Sequence, residues 1–174
     1  MVLDAQRHRT VYVKVQPFLI AAAVFALDRV SKLVIGHYVS LYDTYAVIPG
    51  LFQIVQTRNK GIAFGIFNNG AAESASVVLI LFSLAILGFI GSLLWQSVRL
   101  AEKEHWTMRL GLALILGGAF GNVYERIVHG FVTDFLDFYW HAAHFPVFNA
   151  ADSAITIGAG LLLINLWKPK RKRA

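Results

Sequence analysis

Gly117–Trp140 reads GGAFGNVYERIVHGFVTDFLDFYW, and His141–Ser153 continues HAAHFPVFNAADS. Inside a mostly apolar chain, this stretch gathers Asn122, Glu125, Arg126, Asp134, Asp137, Asn149 and Asp152. Ionisable groups in or beside a membrane segment are expensive unless paired or hydrated, so a cluster of them points to a functional site. The apolar surroundings set that expectation. Of 174 residues, 57% are hydrophobic and only 15% are charged. The mean hydropathy is +0.58. That leaves too little charged surface for a soluble domain of this length, so the class is integral membrane.

One domain is expected over 1–174, because the polar segments outside the apolar runs are too short to fold alone. The chain has no cysteine, which excludes disulfides, a thiolate nucleophile and a thiolate metal site. The net charge of +6 does not call for a nucleic-acid partner, since the basic residues flank apolar runs, where they set topology.

Four such runs are visible, at about 17–36, 76–95, 110–128 and 150–167, each near the length needed to cross a bilayer. A basic head with Arg7, Arg9 and Lys14 precedes the first. Head and run together also fit a cleaved signal peptide; the expectation here is that the segment is retained. Asp28 and Lys32 stand four apart on one helical face, with the acid N-terminal, the better order for an ion pair. Between the first two runs, segment 37–75 is polar and aromatic. Ala46–Thr57 is β-rich around Pro49-Gly50 and predicts a short hairpin. Asn59-Lys60-Gly61-Ile62-Ala63-Phe64-Gly65 follows as a glycine-punctuated loop; no GK[ST] completes a phosphate-binding reading. Segment 129–149 reads as a loop carrying Asp134, Asp137 and the aromatics Phe135, Phe138, Tyr139 and Trp140.

Lysine and arginine decide the orientation. The head has three, the 96–109 connection three and the tail from Lys168 five, whereas the other two loops hold only Arg58 and Lys60. Both termini and the middle connection are therefore expected in the cytoplasm. Asp28, Lys32, Asn59, Asn122, Glu125, Arg126, Asp134, Asn149 and Asp152 then all fall toward the outer side, as one site would. Gly117-xxx-Gly121 and Ala150-xxx-Ala154-xxx-Gly158 are small-residue ladders that let helices approach closely, and carry no chemistry.

Several of these residues also have a plainer reading. Asn149 to Asp152 has the form of a helix start, with an N-cap amide and an acid at N3. Asp28 with Lys32 is more often a buried pair than a catalytic element. Arg126 beside Glu125 reads as an interfacial ion pair, Asp137 as hydrated, and His129, His141 and His144 as solvated side chains without metal spacing. Asp134 lies among Val132, Thr133, Phe135 and Leu136, where an apolar neighbourhood raises a carboxyl pKa. If Asp134 and Asp152 meet, the pair holds one proton, and one member activates a water while the other protonates. Asp152, near a helix N-terminus, is the expected ionised member. A proton-coupled transporter using the same acids is the alternative, although such binding groups usually sit at the midplane among internal repeats. A scaffold or lipid-binding subunit is a second.

Five pieces of the chain, in order, resemble the bacterial lipoprotein signal peptidase (signal peptidase II) family of aspartic peptidases. They are Asp28-Arg29-Val30-Ser31-Lys32, Thr57-Arg58-Asn59-Lys60-Gly61-Ile62-Ala63-Phe64-Gly65, Gly117-Gly118-Ala119-Phe120-Gly121-Asn122 with Arg126, Val132-Thr133-Asp134-Phe135, and Phe145-Pro146-Val147-Phe148-Asn149-Ala150-Ala151-Asp152-Ser153. The resemblance implies an all-α membrane protein: a four-helix transmembrane bundle with a small extracytoplasmic β-cradle at the Pro49-Gly50 hairpin and a short periplasmic helix within 129–149. It implies Asp134 and Asp152 as catalytic, with Asp28, Lys32, Asn59, Gly61, Asn122, Arg126 and Asn149 around substrate and dyad. It further implies an inner-membrane location with the site on the periplasmic side. The substrate would be a prolipoprotein carrying a diacylglyceryl cysteine, cut before that cysteine. Membrane lipid and peptide antibiotics of the globomycin type are implied partners, with no metal or cofactor. Aromatics such as Phe64, Phe67 and Trp140 would seat the rim. Glu125 departs from the family's usual Asp, which keeps the charge and lengthens the reach.

Overall fold

Each apolar run lies within a helix, the form in which a backbone in hydrocarbon satisfies its own N–H and C=O groups. A computed structural model of the chain describes residues 2–41, 43–61, 71–99 and 106–167. The four helices are α1 (Val2–Tyr38), α2 (Ala71–Arg99), α3 (Trp106–His129) and α4 (Ala150–Trp167). They outrun most of the hydropathy-defined spans: α1 continues back through the basic head, and α2 starts five residues before Ser76 and ends beyond Trp95. Phe64, Phe67, Lys103 and the tail from Lys168 lie outside the described residues.

By length and composition, two helices among the described residues qualify to cross a membrane, Val77–Arg99 and Ala150–Trp167. The other two, α1 and α3, carry the buried Asp28, Lys32 and Glu125 of the site described below. Helix α3 is central and packs on α1, α2 and α4. Close approach is what its glycines provide. A Cβ at Gly111 would stand 2.8 Å from the Gly158 carbonyl of α4, and one at Gly118 would stand 2.5 Å from the Ala151 carbonyl. Gly117 is pressed in the same way against Ala21 of α1. Away from the site, Ala21, Leu94, Val98, Leu112 and Ala113 form the buried apolar core.

The remaining strands form a four-stranded antiparallel sheet in sequence order: β1 (Thr44–Ile48), β2 (Phe52–Asn59), β3 (Val132–Trp140) and β4 (Ala143–His144). The β1–β2 hairpin forms where Pro49-Gly50 predicts it. Leu51 N–H returns to the Ile48 carbonyl at 3.0 Å, and Gly50 takes the φ of +80° that the third position of a type II turn requires. Segment 129–149 departs from expectation. Where a loop with a short helix is expected, the chain makes β3 and β4. Val132-Thr133-Asp134-Phe135-Leu136-Asp137-Phe138-Tyr139-Trp140 is rich in β-branched and aromatic residues, and β2 supplies the partner edge. A bulge between Ile54 and Thr57 gives β2 one extra residue opposite Leu136–Asp134. Bulges of this kind re-aim side chains beside functional sites.

Candidate active site

Asp134 is delivered by the sheet. Beyond the bulge Thr57 pairs with Asp134 and Asn59 with Val132, which brings the Asn59 amide to the carboxylate. Asn59 Nδ2 donates to Asp134 Oδ2 at 2.9 Å. The Gly61 N–H fixes that amide by donating to Asn59 Oδ1 at 2.7 Å; Gly61 takes a φ of +73°, a conformation suited to glycine. On the other side of β3, Phe148 is pinned to the strand: Leu136 N–H donates to its carbonyl at 2.8 Å and its own N–H returns to the Leu136 carbonyl at 3.1 Å. Asn149, the next residue, is thereby set beside Asp134, and its Nδ2 donates to Asp134 Oδ1 at 2.7 Å.

Asp152 is delivered by the start of α4. Asn149 Oδ1 accepts from Asp152 N–H at 3.0 Å, and Asp152 Oδ2 accepts from Asn149 N–H at 3.1 Å. This is a reciprocal capping box with Asp in the N3 position. The plainer helix-start reading is therefore correct, yet it does not exhaust the residue. Asp152 Oδ1 accepts from Asn122 Nδ2 at 2.8 Å, and Asn122 Oδ1 in turn accepts from Asn149 Nδ2 at 3.2 Å. Asn149, fully buried, touches both acids at once.

Beneath them lies a buried charge network. Lys32 Nζ faces Asp28 Oδ2 at 3.0 Å and Glu125 Oε2 at 3.1 Å, and donates to Asn122 Oδ1 at 2.9 Å. The Asp28–Lys32 pair forms as its spacing predicts. Asp28 also closes the top of α4, accepting from Ala151 N–H at 3.1 Å. Its carboxylate lies so close to Gly121 that no side chain fits there.

Glu125 does not pair with Arg126, as expected from adjacency. Neighbours on a helix point about 100° apart, and Glu125 turns inward to Lys32, with Arg29 Nη1 3.8 Å from Oε1. Arg126 stays outside the hydrogen-bonded network. Its guanidinium lies near Gly61, and its buried Nε has no hydrogen-bond partner among the described residues. Asp137 is not hydrated but buried, accepting from Gln53 Nε2 at 2.6 Å and pairing with His144 Nδ1 at 2.9 Å. Thr133 is not among the residues that the sequence singles out. It is buried and gives both its donors to Glu125; only its place next to Asp134 marks it in the sequence.

Burial pushes the Asp134 carboxyl up from 3.8 to about 6. The Asn59 and Asn149 amides oppose the rise, the Asp152 charge adds to it, and Lys32 pulls it back. The site thus sets an acid that holds a proton readily beside a second acid in the first turn of α4. Two carboxyls joined through one residue, Asn149, are a pair that can divide acid and base roles between them.

A family model described as signal peptidase (SPase) II matches residues 20–168. A lipoprotein signal peptidase of Solibacter usitatus is 48% identical over 155 residues, covering 89% of this chain and 92% of its own. One from Maridesulfovibrio salexigens is 38% identical over 152 residues, covering 87% and 95%. A bacterial membrane enzyme solved by the in meso method at 1.9 Å resolution superposes with a TM-score of 0.72 at 32% identity, covering 89% of this chain and 94% of that one. The transporter alternative finds no support in these matches.

Proposed function

Since this chain belongs to the signal peptidase II family, we propose that Asp134 and Asp152 are the catalytic pair of its peptidase activity. The protein is an aspartic-type lipoprotein signal peptidase, a membrane enzyme acting on prolipoproteins. The observation that carries the assignment of the pair is Asn149, whose side chain and backbone N–H bond one carboxylate each.

Asp152 acts as base and Asp134 holds the shared proton. Asp152 takes a proton from water as the oxygen attacks the scissile carbonyl, and Asp134 protonates the carbonyl oxygen. As the gem-diol collapses, Asp152 gives its proton to the leaving nitrogen and Asp134 takes one back from a hydroxyl, which forms the carboxyl product and restores the pair. Lys32 and Asp28 act at one remove: they hold Asn122 and the start of α4 in place. Asn59 and Gly61 orient Asp134 from the sheet, and Arg126 flanks the entrance at Gly61.

The four helices all span the membrane on this reading. Its support is the inside-out character of α1 and α3: Leu19, Leu27, Val30, Leu33, Ile127 and Val128 are exposed, while Asp28, Lys32 and Glu125 are buried. Such charges face a bundle interior rather than lipid. The distribution of lysine and arginine supports cytoplasmic termini and a site on the outer side of the inner membrane. A diacylglyceryl cysteine would leave its acyl chains in lipid and bring its peptide to the acids, and globomycin-type peptides would compete there.

The test is cleavage of a diacylglyceryl-modified precursor by purified Asp134→Asn and Asp152→Asn proteins in lipid. Each should lose about 10²–10⁴-fold or more in rate while still binding the precursor. Cleavage at the normal speed by either variant sinks the assignment.

A further inference from the structure

Asp134 and Asp152 need a fixed separation, and the capping box fixes only Asp152. Asp134 rides on β3, whose first residues follow α3 through a short connection. The helix ends at His129, and Gly130 caps it with a φ of +74° and its N–H on the Arg126 carbonyl at 3.0 Å. Two residues later the strand begins. What ties this entrance down is a side chain. Glu125, 3% exposed, accepts from Thr133 Oγ1 through Oε1 at 2.7 Å and from Thr133 N–H through Oε2 at 3.0 Å.

Two bonds from one carboxylate to one residue fix both its height along the helix axis and its rotation. Hydrogen bonds to a charged acceptor are also roughly twice as strong as neutral ones. The carboxylate is itself held, by Lys32 Nζ at 3.1 Å and Arg29 Nη1 at 3.8 Å. Lys32 is the same ammonium that donates to Asn122, the donor to Asp152. One cation therefore anchors the supports of both acids.

We propose that Glu125 and Thr133 form a positioning clasp that sets where β3 presents Asp134 to Asp152. The proposal rests on the reading of Asp134 as catalytic. Both clasp residues act through the strand. The length of Glu125 matters in this chain, where the family's usual aspartate would fall short of these contacts by about 1.5 Å, one carbon–carbon bond.

The experiment measures kcat and KM over pH on a diacylglyceryl-modified precursor peptide, using the full chain in lipid nanodiscs. The variants are Thr133→Val, Thr133→Ser, Glu125→Asp, the double variant Glu125→Asp/Thr133→Val, and Asp134→Asn. Displacing a reacting group by about 1 Å costs up to about 10²-fold, so Thr133→Val should lower kcat about 10- to 100-fold with KM within about twofold. Its alkaline limb should move to lower pH, because a loosened strand lets water reach Asp134. Thr133→Ser, which keeps the hydroxyl, should restore most of the rate. The double variant should be no slower than Glu125→Asp alone, as expected of groups acting as a unit. Wild-type kcat and an unmoved limb in Thr133→Val, with Asp134→Asn inert, overturn the clasp and leave the catalytic pair standing; additive losses in the double variant do the same. An active Asp134→Asn overturns the pair and the clasp with it. Should Glu125→Asp fail to fold, the contrast between Thr133→Val and Thr133→Ser decides alone.

Discussion

Replacing Asp134 by Asn should make the protein more stable above neutral pH while removing its activity. The carboxyl titrates at about 6 in the folded chain against 3.8 for the ordinary side chain, chiefly through burial. The folded state therefore binds more protons than the unfolded state between those values, and its stability falls as pH rises through that window. At 1.36 kcal/mol per unit, the ionised carboxylate holds the native state back by about 3 kcal/mol above pH 6. An asparagine carries no such charge. Its NH₂ group must face one of the donors on Asn59 or Asn149, which offsets about 1 kcal/mol. The net gain at pH 8 should be about 2 kcal/mol, and it should shrink by about 3 kcal/mol as pH falls toward about 3, below both values. Reversible SDS unfolding in mixed micelles, followed by the fluorescence of the four tryptophans, measures both stabilities across that range. A variant no more stable than the wild type at pH 8, or a gap that does not change with pH, refutes the idea that burial strains this acid.

Removing Asn59 acts on the same titration from the other side. Its amide favours the Asp134 carboxylate, so Asn59→Ala should shift the alkaline limb of kcat/KM upward; a downward shift assigns the limb to another group. Lys32→Met leaves the Asp28 and Glu125 carboxylates buried without their shared cation. It should destabilise the fold by about 3–5 kcal/mol, read as loss of folded protein after detergent extraction. Gly121→Ala drives a methyl group into the Asp28 carboxylate and uncaps Ala151. A loss of about 1–3 kcal/mol is expected, checked by thermal unfolding, together with a fall in cleavage.

Much of this architecture is written locally. The four helices follow from the apolar runs, the hairpin from Pro49-Gly50, the Asp28–Lys32 pair from a spacing of four, and the capping box from Asn149 and Asp152. The elements that the sequence hides are those whose partners lie far away along the chain. Strand β3 reads as a loop because Asp134 and Asp137 interrupt it. Their burial depends on Asn59 and Gln53 from β2, more than seventy positions upstream. Glu125 looks like the natural mate of Arg126 until the packing of α1 on α3 offers it Lys32 instead. The sequence suggests that Asp134 and Asp152 belong together, but only the pinning of Phe148 to Leu136 puts Asn149 between them.

The internal pairing of Asp28 with Lys32 bears on how the chain enters the bilayer. During synthesis α1 emerges long before α3 and α4, so Glu125, Asn122 and the Ala151 N–H do not yet exist as partners. An acid and a base one turn apart neutralise each other within the first helix, which leaves Arg29 as the one uncompensated charge of the 17–36 run. On the four-span reading, the later helices then inherit an already balanced charge and divert it to a new use, rather than rescuing a stranded ion.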